Sequence, residues 1–289
     1  MHRYFFTTKD TFINSGSDSI TGEDFKDKNT GQDEILELKK VFFNRTFSYQ
    51  TRVLVQFDTD EIESYISSSV LPNDYKLNLR LYETEGTSGL SEEYTISAYP
   101  LSQSWDEGIG KESDVPKTTE GCSWAFSKNN QGVEVKWNAY SSSISSSVDE
   151  GGDTINTTST FTSSFVDGNQ ISEGSFIEDD EATQVFSTES PDLNMDITTI
   201  ANKWFGGVNE NYGLMLRLSG SRETSSTSFE DIKFFSRQTN TIYSPKIELK
   251  WDDHLPATGS NTGSLTTLDV SGNSENYLYP IHLREAYKE

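Results

Sequence analysis

The chain has 289 residues, and 23 Lys and Arg against 46 Asp and Glu leave a formal net charge of −23. That balance excludes a nucleic-acid surface, which needs clustered Lys and Arg against phosphates. No apolar run approaches the roughly 20 residues of a spanning helix, and although the hydrophobic fraction of 33% would suit disorder, five Trp, 13 Tyr and 17 Phe supply large buriable side chains.

The start, Met1 to Asp10, has no apolar stretch of the length a secretory signal needs, so the sequence predicts assembly in a cytoplasm without export. A single Cys, Cys122, leaves no intrachain disulfide. Residues 14–33 carry Gly, Ser, Asp and Lys without periodicity and read as a loop. Strands are predicted at 35–43 and 51–57, and a short helix at 60–66. Leu77, Leu79 and Leu81 alternate with Lys76, Asn78 and Arg80, the period of a strand with one face inward and one wet. Another strand follows at 94–100. Residues 138–182, with two Ser triplets and Gly151-Gly152, form a long insertion. A strand at 184–187 precedes residues 196–204, where apolar positions 197, 200, 201 and 204 share one helical face and Gly206-Gly207 ends it. The rest is strand at 214–218, 232–237 and 247–251, the first and last with clear alternation. Residues 253–275 read as a Gly/Ser/Thr linker, and Tyr277, Leu278, Tyr279, Ile281 and Leu283 form an apolar docking segment after it.

Many alternating strands with few helices predict an all-β fold, an antiparallel, jelly-roll-like β-sandwich. The sandwich covers 1–252 with its insertion at 138–182, and 253–289 forms a linker and C-terminal arm.

The sequence offers little to nucleophilic catalysis. The three histidines are His2, His254 and His282, and no Gly-x-Ser-x-Gly, dinucleotide or phosphate-loop pattern occurs. Cys122 beside Trp124 reads as a small core side chain. Adjacent acids, such as Asp106-Glu107 and Asp252-Asp253, are expected in a chain with 46 of them and read as solvated loops. No cofactor is predicted. Calcium is the one metal left open, with Glu178, Asp179, Asp180 and Glu181 as candidate oxygen ligands. Asp192-x-Asn194-x-Asp196 starts like a calcium loop, but Ile197 and Lys203 stand where Gly and Glu belong, so Asn194 or Asp196 reads as a helix cap. Sugar modules lay rings on exposed aromatics. Trp105 and Trp137 are the glycan candidates, although a core this poor in aliphatics predicts that most of the five Trp are buried.

The order of the motifs is informative. The chain runs KDTFINSG at 9–16, TRVLVQFDTDEI at 51–62, LNLRLYETEG at 77–86 and YPLSQSWDEG at 99–108. It continues with DITTIANKWFGGVNENYGLMLRL at 196–218 and FEDIKFFSRQTNTIYSPKIELKW at 229–251. This series resembles the DNRLRE-type β-sandwich, the fold of the family 96 carbohydrate-binding modules, over most of residues 5–251. The Asp-Asn-Arg-Leu-Arg-Glu-like segment behind the family name is missing. The stretch SPKIELKWDDHLPATGSNTGSLTTLDVSGN also resembles virion structural proteins of T4-like marine and cyanobacterial phages. These resemblances imply a non-enzymatic virion component of the tail, neck, fibre or capsid-decoration region. Its partners would be other virion proteins and copies of itself. A module that binds host surface glycans is the alternative they imply.

Overall fold

The computed structural model describes residues 2–16, 22–43, 46–68, 75–84, 93–137, 175–186, 192–219 and 230–251. The strands among them are β1 (His2–Asn14), β2 (Ile35–Phe43), β3 (Thr46–Phe57), β4 (Tyr75–Leu81), β5 (Tyr94–Pro100), β6 (Phe126–Asn130), β7 (Val133–Lys136), β8 (Ala182–Phe186), β9 (Leu193–Asp196), β10 (Leu214–Leu218), β11 (Glu230–Phe235) and β12 (Lys246–Trp251). Among the described residues two helices, α1 (Thr59–Ser68) and α2 (Thr198–Phe205), accompany them.

All strand pairs are antiparallel, and one hydrogen-bonded path runs β8-β5-β10-β3-β1-β12-β4-β9, with β11 and β2 laddered beside β3. The path doubles back at β1. Residues 2–6 of β1 pair with β12, and residues 7–14 pair with β3. Its far ends then approach each other, where Asn194 N donates to Gln184 Oε1 at 2.6 Å. We call β1(2–6)-β12-β4-β9 the first sheet and β1(7–14)-β3-β10-β5-β8 the second.

The switch at β1 explains why its 13 residues escape a period-two reading. The register slips between Thr7 and Lys9, and Thr7 Oγ1 lies 2.8 Å from both Lys9 O and Gln56 O. A bulge adds one residue to one strand and so reverses side-chain parity beyond it. Phe5 and Phe12, an odd seven positions apart, therefore both enter the same core.

That core lies between the sheets. Leu77, Leu79 and Leu81 of β4 and Ile247 and Leu249 of β12 meet Val53, Val55, Ile96, Leu214 and Leu216 of the second sheet, all 0% exposed. Ile62 of α1 and Ile200, Ala201 and Trp204 of α2 pack onto it. The N-cap of α2 is Ile197, without a side-chain cap bond, so the cap expected of Asp196 is corrected: Asp196 ends β9 and accepts from Thr198 N at 3.0 Å in the turn before the helix. Asn194 also lies in β9, its side-chain carbonyl taken by Asn78 Nδ2 at 2.8 Å.

A second core covers the opposite face of the second sheet. Ile13, Leu54, Tyr99 and Met215 project there and meet Leu101, Trp105, Cys122, Trp124, Trp137 and Phe176. Residues 101–137 supply most of this cover, ending in the β6-β7 hairpin. Alternation in 214–218 predicts a wet face for Met215 and Arg217, and the structure corrects it. All five residues of β10 are buried, because cover lies on one side and core on the other. The charges inside are held by rings. Arg52 lies 5.0 Å over Trp124, and Arg217 lies 4.9 Å over Tyr99.

Candidate functional site

The outer face of the first sheet has no such cover among the described residues. Register places its side chains in three rows: His2, Lys250 and Lys76; Tyr4, Glu248, Asn78 and Asp196; Phe6, Lys246, Arg80 and Asn194. Tyr4 is 39% exposed and Phe6 55%, and Tyr243 (44%) and Ile242 (75%) extend the apolar margin from the turn before β12. Tyr82 and Tyr243 are in contact at 5.3 Å, and Phe235 stacks on Tyr243 at 5.6 Å.

Alternation again predicts a wet face, and two side chains depart from it for a physical reason. Lys246 is buried because Tyr82, Tyr4 and Phe6 surround its ammonium at 4.7, 4.9 and 5.6 Å, while it donates to Ile242 O at 3.1 Å. Glu248 is buried between Arg80 Nη1 and Lys250 Nζ, each 3.2 Å from its Oε2. Burial and the Glu248 carboxylate hold the Tyr4 phenol above its usual value, so it stays neutral. The face carries four cations (Lys76, Arg80, Lys246, Lys250) against two carboxylates (Glu248, Asp196), a local balance of 4 − 2 = +2 on a chain of −23.

A shallow groove of about 550 Å³ opens elsewhere, where β1 and β3 meet the segment after α2. Lys9, Gln56, Asp58, Asp60, Asn209 and Tyr212 line it, with Trp204 in its wall. Internal bonds fix its shape. Asn211 donates to Phe57 O at 2.7 Å and accepts from Gly213 N at 3.0 Å, and the Tyr212 hydroxyl donates to Glu210.

Three of the quoted motifs converge in a buried charge cluster. Arg237 grips Glu107 through Nε at 2.9 Å and Nη2 at 2.5 Å. Its backbone N donates to Asp10 Oδ2 at 2.7 Å, and Asp10 N donates to Glu107 Oε1 at 3.0 Å. Burial pushes the Asp10 carboxyl up to about 7 against the opposing backbone bond, and Glu107 adds to the rise. Beside it Asn29, 0% exposed, donates to Glu107 O and Cys122 O at 2.8 Å each and accepts from Gly31 N and Gly110 N. Gly108 (φ 82°) and Gly121 (φ 110°) close around that amide, and a Cβ on Gly121 would stand 2.4 Å from the Gly108 Cα. This cluster ties β1, the cover and the 237–239 turn together. It is a fastening in which the buried Asp10 Oδ1, alone of the Asp10 and Glu107 carboxylate oxygens, has no hydrogen-bond partner.

The residues singled out from sequence fall elsewhere. Trp105 and Trp137 are 0% and 2% exposed, donating to Tyr212 O at 2.8 Å and Ser123 O at 2.9 Å. Neither ring offers a face to a sugar, because both are needed to seal the second core. Trp124 and Trp204 are buried too, and Trp251 is half-buried beside Tyr65. The acidic run 178–181 does not converge on one point. Asp180 turns inward to Lys203 and to Asn209 Nδ2 at 2.8 Å, and Glu181 accepts from Tyr99 OH at 2.6 Å. Glu178, Asp179 and Asp180 form a short 3-10 turn. Among the described residues no group of three or more His, Cys, Asp or Glu is placed to hold a metal ion. Cys122 is fully buried, and burial pushes its thiol well up. Tyr277, Leu278, Tyr279, Ile281 and Leu283 lie outside the described residues. No described helix is long and apolar enough to cross a membrane.

No family model matches the chain, and no curated protein matches it.

Proposed function

We propose that this chain is a non-enzymatic structural subunit of a phage particle, in the tail, neck, fibre or capsid-decoration region, acting through protein–protein contacts. The observation that carries the reading is the open face of the first sheet. Exposed Tyr4 and Phe6 of the sheet stand beside Ile242 and Tyr243 of the turn before β12, and aromatic enrichment at such a patch is typical of protein interfaces. The phage resemblance of 244–273 supplies the context, and the apolar segment 277–283 after its polar linker supplies a second point of attachment. Repeated weak contacts of this kind add up through multivalency.

Particle incorporation tests the proposal. Deleting 254–289 should leave a folded sandwich that no longer enters particles, and full incorporation of the truncated chain would sink the reading. The alternative, a glycan-binding module, is favoured by the groove, whose hydroxyl, amide and carboxylate lining beside the Tyr212 ring suits a polyhydroxylated ligand. A glycan array read with and without Tyr212→Ala separates the two. Binding lost with that ring would support the module.

A further inference from the structure

The open face also constrains its partner. Two such faces meeting symmetrically would bring two surfaces of net positive charge together, which is unfavourable. Its excess of cations, on a chain otherwise dominated by acids, calls for an acidic surface. The chain carries one. Asp58, Asp60, Glu61 and Glu63 stand exposed within six positions at the start of α1. In that ridge Asp58 Oδ1 caps the helix by accepting from Asp60 N at 3.0 Å and Glu61 N at 3.2 Å, and Arg3 is a cationic neighbour, 3.6 Å from Glu61.

Resting on the assembly reading, we infer that the open face of one copy receives the 58–63 ridge of a second copy, head to tail. Lys76 and Lys250 are the accessible cations of the face, with side chains 67% and 42% exposed; each already has a carboxylate on the face, Asp196 at 3.7 Å and Glu248 at 3.2 Å, and they meet the carboxylates of the ridge as well. Phe6 and Tyr4 supply the apolar area between them. A contact of this kind leaves each copy with one unused face and one unused ridge, so it extends into a ring or a linear array instead of stopping at a dimer. Its strength falls with salt, since both surfaces are solvent-exposed.

Sedimentation velocity on the full chain, at low and at high salt, tests this with charge-swapped variants. Lys76→Glu with Lys250→Glu makes the face acidic, and Glu61→Lys with Glu63→Lys makes the ridge basic. Each variant alone should self-associate about tenfold more weakly than the parent, through like-charge repulsion. A mixture of the two should associate again, because every contact between them is then of opposite charge. Lys76, Glu61 and Glu63 are exposed, whereas Lys250 is half-buried and 3.2 Å from Glu248 Oε2, so Lys76→Glu alone is measured beside the double variant, and a melting temperature matched to the parent qualifies each. Association unaffected by either swap, a mixture that stays dissociated, or a parent chain that is monomeric at every concentration and salt overturns the inference. Failure of the assembly reading is separately visible, as full particle incorporation of the chain lacking 254–289.

Discussion

The outer faces of the two sheets have opposite fates. On the second sheet, Leu54, Met215, Arg52 and Arg217 are sealed under residues 101–137, and the three Trp of that segment become a second core. On the first sheet, Tyr4 and Phe6 stay exposed beside a grid of charged and amide side chains. Burying a large ring is strongly favourable, and the sister face is covered except at β8, where Val185 is 57% exposed; the rings left in water on the open face are the observation on which the assembly proposal rests. The closed face holds the fold together.

The largest expected effect falls on the closed side. Trp124→Ala should cost about 3–5 kcal/mol of stability, the usual range for emptying a core of this size. It also leaves the Arg52 guanidinium without the ring it lies over. Equilibrium denaturation measures this, and a loss below about 1 kcal/mol would mean that the second core is not a core.

The fastening between cover and sheet comes next. Asp10 is pushed up to about 7 and Asp33 to about 6, both chiefly by burial. A folded-state value above the unfolded one, near 3.8, means that the folded chain holds more protons between those limits. Their contribution to stability is therefore full below about pH 4 and is lost as pH rises to about 7. Asp10→Asn removes the larger share and should flatten the fall by roughly 2–4 kcal/mol, the scale of a shift of this size. Melting temperatures from pH 4 to 8 read it, and identical slopes in variant and parent would contradict the assignment.

Smaller still is the glycine at the node. Gly121→Ala adds a Cβ at positive φ against backbone and should cost about 1–3 kcal/mol. Smallest is the open face, where Phe6→Ala removes a half-exposed ring from beside the Lys246 ammonium and should cost about 0.5–1 kcal/mol. Its larger effect falls on association.

The comparison also shows what the sequence could reveal. Strands 35–43, 94–100 and 214–218 match the structure residue for residue, because hydrophobic alternation reports directly on a sheet with a buried face. Both helices are legible to within two or three residues at either end. β1 was hidden by its bulge, and the four residues of β9 by their resemblance to a cap. The wet face assigned to Met215 and Arg217 failed because alternation says which side chains face apart, and is silent on whether something distant covers them. For the same reason Asp10, Glu107 and Arg237 could not be joined in advance. They lie 97 and 130 positions apart in the chain, and the contact depends on where the cover folds. The abundance of Trp did report an aromatic core correctly, but not that Trp105 and Trp137 belong to it. The open face was readable as alternate polar residues in 76–80 and 246–250. Its rings came from the unpredicted β1.

The most direct test of a closed face for stability and an open one for assembly is particle incorporation of the full chain carrying Tyr4→Ala and Phe6→Ala, at a melting temperature matched to the parent. The account predicts a melting temperature within a few degrees of the parent and incorporation largely lost. Unchanged incorporation by a variant that folds as the parent does would contradict it.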